Sequence, residues 1–184
     1  MSINAITSKG ASICKGIVNS KPIVNVVMLH PIRSCYFNYK HHSVDPNFPL
    51  KDIESNLFDS IKLLDSNHIP FHFLDETLLS KYGSVKNKKI ICGKCSYDYL
   101  VLPRIYTMDK STEKIIHEFI NQGGKVLLLS DRPTYLEGKE YNYPYLRSNI
   151  TLSKIKASLD IVSKPNSNFR ISYRVDSNKK PFIY

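Results

Sequence analysis

The chain has 184 residues, of which 42% are hydrophobic and 23% are charged, and this usage is that of an ordinary globular protein. It excludes a disordered, a collagen-like and a disulfide-stapled chain. The net charge of +10 comes mostly from the two ends, because residues 1–22 carry three lysines and no acid, and residues 149–184 carry seven basic and two acidic residues. Since the remaining residues 23–148 are nearly balanced in charge, they offer little for a folded basic face, and we predict no nucleic-acid partner.

No apolar run approaches the ~20 residues of a membrane span, and the start of the chain lacks the pattern of a secretory signal. We therefore expect no membrane partner and a cytoplasmic location. Residues 1–22 show no clear period and are interpreted as a linker or leader. Residues 24–29 form a short β-rich apolar run, which is typical of a buried strand. The stretch 31–49, which contains three prolines, is predicted to be a long loop.

An amphipathic helix is predicted over about residues 50–66, because apolar side chains recur at helical spacing, at Leu50, Ile53, Leu57, Ile61 and Leu64. A second strand is predicted at 71–74, followed by Asp75-Glu76 at a plausible helix start. Residues 86–89 predict a polar hairpin. A third strand at 99–102, a helix capped by Asp109 or Ser111 and ended by Gly123-Gly124, and a fourth strand at 125–129 follow.

Strands and helices alternate through this region, which favours a mostly parallel sheet with helices on both faces. The signal weakens after residue 130. A last helix is predicted near residues 152–162, and a C-terminal β-hairpin is predicted from the alternation in 169–175, a turn at 176–178 and a strand from residue 181. These patterns divide the chain into a linker or leader at 1–22, an α/β domain at 23–163, and a linker with the start of a β-rich segment at 164–184.

The cysteines are Cys14, Cys35, Cys92 and Cys95, and the last two form a CxxC motif. A zinc site needs a second pair of ligands at suitable spacing, which the sequence does not offer. A thioredoxin-like motif should open a helix, whereas this one precedes residues typical of a turn into a strand. We predict ordinary reduced thiols, with a zinc or redox role as the alternative. The sequence predicts no metal and no cofactor.

The segment from His30 to Tyr36 is the most suggestive for ligand binding, since it follows the first strand, where ligands bind parallel sheets. His30, Arg33, Ser34 and Tyr36 are the candidate ligand-binding residues, because such side chains can hydrogen-bond to and stack on a polar ligand such as a sugar. The structural alternative is that His30 caps the strand and Arg33 pairs with Asp131 or Asp75. Asp75-Glu76 is interpreted as helix capping, and no catalytic residue is predicted.

Three segments together resemble one family, namely VVMLHPIRSCYFNY, FHFLDETLLSKYGSV and YDYLVLPRIYTMDKSTEKIIHEFINQGGKVLLL. They look like the glutamine-amidotransferase-like domain that follows the catalytic barrel in large bacterial glycoside hydrolases, of which the β-galactosidase trimerisation domain is the best-known relative. The similarity covers about residues 24–135. The resemblance implies a flavodoxin-like, class I glutamine amidotransferase-like α/β fold. The elbow cysteine of true amidotransferases is missing.

The resemblance further implies a non-catalytic accessory or assembly domain of a glycoside hydrolase, which acts in carbohydrate metabolism. In such enzymes the catalytic carboxylates lie in the barrel, which this chain lacks. The implied partners are the catalytic barrel or a second copy of the domain, with carbohydrate as a further ligand at a neighbouring sugar site. The alternative is a free-standing small enzyme of amidotransferase-like fold, for which Cys35 is the candidate nucleophile.

Overall fold

The computed structural model describes residues 3–38, 49–159, 173–176 and 178–183. The helices in these ranges are α1 (Ile3–Val18), α2 (Ile32–Asn38), α3 (Pro49–Ser66), α4 (Glu76–Tyr82), α5 (Lys110–Asn121) and α6 (Leu152–Ser158). The strands are β1 (Lys21–Pro22), β2 (Val26–Leu29), β3 (Phe71–Leu74), β4 (Gly83–Lys86), β5 (Lys89–Cys92), β6 (Cys95–Tyr97), β7 (Tyr99–Leu102), β8 (Thr107–Met108), β9 (Lys125–Leu128), β10 (Tyr135–Leu136), β11 (Lys139–Glu140), β12 (Tyr173–Val175) and β13 (Pro181–Ile183).

Four parallel strands form the central sheet, in the order β3, β2, β7, β9. Strands β3 and β7 have the predicted bounds, and β2 and β9 differ from theirs by two residues or fewer. The prediction of an α/β fold with a parallel sheet is confirmed. If the four strands are numbered by their order in the chain, their order across the sheet is second, first, third, fourth. The direction of strand addition therefore reverses between β2 and β7.

Strand β2 is the most deeply buried element of the sheet, since all four of its side chains have no exposed surface. Val27 and Leu29 join a core cluster with side chains of α4 and α5, whereas Val26 and Met28 join a second cluster with side chains of α3 and α6. Helices therefore cover both faces of the sheet. Each buried side chain of this size stabilises the fold by about 1.5–3 kcal/mol, and this single strand contributes as much as the net stability of a typical domain.

The helices around the sheet follow the predicted apolar patterns. Helix α3 buries Ile53 and Leu64 and keeps charged residues on its outer face, as the 3–4 spacing requires. Helix α4 begins after Asp75, whose carboxylate accepts hydrogen bonds from the backbone N–H groups of residues 77 and 78 at 2.8 and 3.4 Å. Helix α5 ends before Gly123, whose φ of +86° is the left-handed conformation that favours glycine.

A three-stranded antiparallel sheet of β4, β5 and β6 packs beside α4 and α5. Val85 lies opposite Ile90 across the first hairpin, as predicted. Its two-residue turn has Asn87 and Lys88 at positive φ, 53° and 61°, which matches the twist of the flanking strands. Ile90 is fully buried, and the polar turn itself is exposed.

The prediction of a loop at 31–49 was wrong where the structure describes the chain. The predicted loop at 31–49 contains helix α2, while residues 39–48 of that stretch lie outside the described residues. Proline fits the first turn of a helix because its missing N–H has no helical partner there, and the carbonyl of Pro31 accepts from the N–H of Cys35 at 3.0 Å. Residues 1–22, interpreted as a linker or leader, include the 16-residue helix α1, whose described side chains are all exposed, and that interpretation stays a prediction.

The two ends of the chain meet in a small sheet, in which β12 pairs antiparallel with both β1 and β13. The predicted C-terminal hairpin is therefore joined by Lys21-Pro22. Arg174 fastens this sheet to the end of α1, because its guanidinium donates to the carbonyl oxygens of Ile17 and Ser20 at 2.9 and 2.8 Å. The end of the predicted last helix beyond 159, the linker from residue 164 and the first half of the alternating segment lie outside the described residues.

The outer edge of β9 is covered by side chains. The N–H of Val126 donates to Oδ1 of Asn149 at 2.8 Å, and Nδ2 of Asn149 donates to the carbonyl of Gly124 at 2.8 Å. The N–H of Leu128 donates to Oγ of Ser148, also at 2.8 Å. These contacts replace a fifth strand at an edge that would otherwise expose unpaired backbone groups. Among the described helices, none combines the length and apolar character that crossing a bilayer requires.

Replacing Asn149 with alanine is expected to lower the free energy of unfolding by about 1–2 kcal/mol, because two side-chain hydrogen bonds to the edge strand are lost. Urea denaturation measures the change. The control is Asn121→Ala, at an exposed position on α5, which is expected to stay within about 0.5 kcal/mol of the parent. Equal effects of the two substitutions would contradict the role given to Asn149.

Candidate functional site

The carboxyl ends of the four parallel strands define one edge of the central sheet, here called the carboxyl edge. The loops that leave it begin at His30, Asp75, Pro103 and Leu129. Ligands of open α/β sheets bind at such an edge, most often where the strand order reverses. In this fold that point is the crevice between β2 and β7.

Ser34 lies on α2, the helix that follows β2, and its side chain is fully buried against the loop that follows β7. Its hydroxyl donates to the carbonyl of Thr107 at 3.0 Å and accepts from the N–H groups of Tyr106 and Thr107 at 2.9 and 3.1 Å. A serine hydroxyl has one donor and two acceptor sites, so all three are in use. Ser34, a predicted ligand-binding residue, instead holds α2 against the loop after β7.

Arg33 lies on the same helix and is held by two neighbours. Its Nε forms an ion pair with Oδ2 of Asp109 at 3.0 Å, and its guanidinium donates to Oγ1 of Thr77 at 3.3 Å. The sequence predicted Asp131 or Asp75 as the structural partner, whereas the ion pair is made with Asp109, at the start of α5. The side chain remains 38% exposed, so part of the guanidinium still faces solvent.

His30 and Tyr36 take no part in the Arg33–Asp109 ion pair. The N–H of His30 donates to the carbonyl of Leu74 at 2.9 Å and so extends the β2–β3 ladder, as the strand-capping alternative requires. The imidazole packs edge-on against Phe73 with a centroid distance of 5.4 Å. Tyr36 is 66% exposed on α2. Because α2 is a helix, Ser34 and Tyr36 differ by about 200° around its axis, so the four predicted residues do not converge on one ligand.

A buried carboxyl group lies at the carboxyl edge, at the first residue of α4. Glu76 is 1% exposed, and its Oε2 accepts from the N–H of Asp109 at 2.7 Å, which ties the starts of α4 and α5 together. Burial raises the pKa of Glu76 from an ordinary value near 4.5 to about 7. Burial would also raise the pKa of Asp75, but the amide hydrogen bonds from Thr77 and Leu78 outweigh it and hold that pKa below its usual range.

An open groove of about 670 Å³, here called the tyrosine groove, lies along the chain that leaves the carboxyl edge after β9. It lies after β9, where strands β8, β10 and β11 form a small mixed sheet. Its lining combines three aromatic rings with charged and amide side chains, and consists of Asp131, Arg132, Pro133, Thr134, Tyr135, Glu140, Tyr141, Asn142 and Tyr143. Residues 131–149 show little periodicity, and the only hint of this groove in the sequence is their density of tyrosines.

The tyrosines of the groove are held in fixed positions. Tyr143 is buried, and its hydroxyl donates to the carbonyl of Tyr135 at 2.8 Å. The guanidinium of Arg132 donates to the carbonyl of Tyr143 at 3.3 Å. Tyr141, which is 39% exposed, packs edge-on against Tyr143 at 4.6 Å between centroids. The ring of Phe37, from α2, packs against Tyr135 at 5.1 Å, so the predicted segment borders the groove through a residue that sequence reasoning missed.

A second groove of about 480 Å³ adjoins the first and shares Asp131 and Arg132 with it. Ser130 lines this groove, and its hydroxyl oxygen has no hydrogen-bond partner within the described part of the chain. A serine nucleophile needs an adjacent base, and no such contact is found there. The two grooves together form a continuous polar surface along the chain that leaves β9.

The cysteines show no metal centre. The described residues hold no group of three or more histidine, cysteine or acidic side chains that could ligate a metal ion. All four cysteines are free thiols. Burial raises the pKa of the Cys35 thiol, and the nearby charge of Glu54 adds to this effect. A catalytic thiol needs the opposite shift, and Cys35 lies within helix α2 instead of at a strand-to-helix elbow.

Comparison with known proteins adds no relative. No protein-family model matches the sequence, and no curated protein matches it at a significant level. The resemblance to a glycosidase-associated domain therefore stays a prediction.

Replacing Ser34 with alanine is expected to destabilise the protein by about 2–4 kcal/mol, because two backbone N–H groups lose their acceptor at a buried position. Ser60→Ala is the matched control. Ser60 is also buried, but its hydroxyl donates only to the carbonyl of Asn56 in its own helix, and alanine is the best helix former. Urea denaturation measures the free energy of unfolding of both variants. An unchanged value in Ser34→Ala would contradict the role of Ser34 in holding α2 against the loop after β7.

Glu76 is expected to make stability depend on pH. A carboxyl whose folded pKa is raised binds more protons in the folded than in the unfolded state, so stability falls as the pH rises from about 4.5 to about 7. The loss is at most roughly 3 kcal/mol. Glu76→Gln is expected to flatten this dependence in urea denaturation at several pH values, whereas the exposed-site control Asp59→Asn is expected to keep it. An unchanged slope in Glu76→Gln would contradict the assignment.

Proposed function

We propose that the chain is a non-catalytic accessory domain of a glycoside hydrolase, with a flavodoxin-like fold, which contacts carbohydrate through the tyrosine groove. The observation that carries this proposal is the combination of aromatic rings and polar side chains in an open groove at the carboxyl edge. The order second, first, third, fourth of the central strands agrees with the flavodoxin-like type of doubly wound sheet. The family resemblance supplies the glycosidase context.

The chemistry of the groove suits a sugar. A sugar ring offers an apolar face of C–H groups and a rim of hydroxyls, and aromatic side chains pack against the first while polar side chains bond to the second. Tyr141 supplies a half-exposed ring. Asp131, Glu140 and Asn142 supply acceptors, and Arg132 supplies donors. A volume of about 670 Å³ lies within the usual range of small-ligand sites.

The arrangement favours binding over hydrolysis. Glycoside hydrolysis uses two carboxyl groups that flank the scissile bond, one of which has a raised pKa so that it can donate a proton. The carboxyl group with such a pKa is Glu76, and it is buried against a backbone N–H instead of lining the groove. Within this proposal the acid–base chemistry belongs to the catalytic barrel of the parent enzyme.

The surface of α3 and β3 supports a protein neighbour, either the catalytic barrel or a second copy of the domain. Phe58 and Phe73 are 54% and 45% exposed. Phe58 lies on α3, and Phe73 lies on the same face of β3 as Phe71, which packs in the core cluster that α3 covers. Strand β3 is also an edge strand of the central sheet. We place the domain in the cytoplasm as part of the same proposal, since its free thiols suit a reducing compartment.

The alternative, a small enzyme that uses Cys35, is less well supported. The thiol is partly buried, its pKa is raised, and it lies on a helix whose inner face is committed to the Ser34 contacts. A nucleophilic thiol instead needs an electropositive, partly exposed environment that lowers its pKa. No feature of the described residues around Cys35 supplies one.

Tyr141→Ala is expected to weaken carbohydrate binding by about tenfold or more, because the groove loses its exposed ring and about 1.4 kcal/mol corresponds to a tenfold change. Lactose, cellobiose and galactobiose serve as probes, and amide chemical-shift changes report binding. The shifts are expected at residues 131–143. Tyr82→Ala is the matched control, since Tyr82 is exposed on α4, away from the groove.

Absence of shift changes with all three disaccharides, or equal changes in Tyr141→Ala and the parent, would contradict carbohydrate contact at this groove. Binding that survives Tyr141→Ala but is lost in Arg33→Ala would indicate that carbohydrate contacts the segment from His30 to Tyr36. The two variants therefore distinguish binding in the tyrosine groove from binding at α2.

A further inference from the structure

Two cysteines face each other across a two-residue turn on the small antiparallel sheet. Cys92 ends β5, Cys95 begins β6, and the strand register pairs them directly. Gly93, in the turn, has a φ of +59° and no neighbouring atom within 4 Å of the position that a Cβ would take. Side chains of directly opposed residues lie on the same face, with Cβ atoms about 4.5–5.5 Å apart.

The pair is accessible and close to disulfide geometry. Cys95 is exposed and Cys92 is half-buried against α4, where its Sγ lies 3.8 Å from the carbonyl oxygen of Leu78. Burial raises the pKa of the Cys92 thiol, so the exposed Cys95 is the thiol that attacks first and Cys92 acts only in the second, intramolecular step. A disulfide needs Cα atoms within about 4.4–6.8 Å and Cβ atoms within about 3.5–4.5 Å. Directly opposed strand residues meet the first condition, and the second requires only a small closure at an exposed turn.

The surroundings favour a dithiol over a metal site. Metal ligation by the CxxC motif would need further ligands, and the described residues contain no group of three that could supply them. The Nδ1 of His72 is already hydrogen-bonded to the hydroxyl of Tyr97 at 3.0 Å. The two sulfurs therefore have each other as the chemically significant partner.

We propose that Cys92 and Cys95 form a reversible disulfide by exchange with a low-molecular-weight disulfide of the glutathione class. The exposed Cys95 thiolate attacks one sulfur of oxidised glutathione and releases one glutathione thiolate, which takes up a proton. The Cys92 thiolate then attacks the Cys95 sulfur of the mixed disulfide and expels the second glutathione. Two electrons pass from the two cysteines to oxidised glutathione, which becomes two thiols.

The Cys92–Cys95 disulfide responds to redox conditions and adds little to the stability of the fold. A disulfide stabilises a fold mainly by closing a long loop of the unfolded chain, and this one would close only the four residues from Cys92 to Cys95. Exposed disulfides are also the ones that are readily reduced. Its formation fixes the β5–β6 hairpin beside α4 without contact with the tyrosine groove.

The test equilibrates the full chain with buffers from reducing to oxidising ratios of glutathione, quenches with an alkylating agent, and maps each cysteine by mass spectrometry. Under oxidising conditions Cys92 and Cys95 are expected to lose two hydrogens together and to escape alkylation. Cys14 and Cys35 are expected to be alkylated after unfolding, as internal controls. The double variant Cys14→Ser/Cys35→Ser is expected to give the same result, which excludes disulfides through those two sites.

The variant Cys92→Ser tests the second step, since it removes the resolving thiol and is expected to accumulate a stable glutathione adduct on Cys95. Thermal unfolding checks that this variant is folded, and the measurements on the parent chain stand without it. Two results would overturn the proposal: full alkylation of Cys92 and Cys95 at every glutathione ratio, or a glutathione adduct on Cys95 of the parent chain that persists unresolved.

Discussion

The burial of β2 on both faces is the constraint on which the rest of the structure depends. Four consecutive side chains, Val26 to Leu29, have no contact with solvent, so helices must cover both sides of the sheet and strands must pair with both edges of β2. Such burial leaves no place for a polar side chain within the strand. At its carboxyl end, where parallel sheets bind ligands, the chain passes His30 and Pro31 and turns at once into α2.

That immediate turn into a helix decides what the reversal point of the sheet can do. In many open α/β sheets the crevice at this point receives a ligand. Here Ser34, on the helix after β2, satisfies two N–H groups and one carbonyl of the segment after β7 and so joins the two chain segments that leave this point. The open polar surface lies instead beyond β9, where Tyr135 and Tyr141 line a groove. This displacement supports a binding role at the periphery of the sheet over a reaction at its centre.

Local regularity explains which parts of the fold could be predicted. Helix α3, strands β3 and β7 and the hairpin at 86–89 were predicted because their apolar spacing or turn residues are visible within a few positions of the chain. Helix α2 was missed because seven residues make only about two turns, too few for an apolar repeat to stand out beside the preceding proline. The candidate site was predicted only in part: Arg33 is half-exposed at the carboxyl edge, but its partner Asp109 lies 76 residues away in the chain, and no local pattern specifies such a pair.

The sequence by itself determined the α/β class, the parallel sheet and the edge at which polar side chains gather, because strand burial and helical amphipathicity are properties of short segments. Only the tertiary structure decided that Ser34 is buried and joins α2 to the loop after β7, that Glu76 is a buried carboxyl joining two helices, and that the tyrosines of 131–143 form one groove. Each of these depends on contacts between segments far apart in the chain, and the free energy of such contacts is set by packing that no single segment contains.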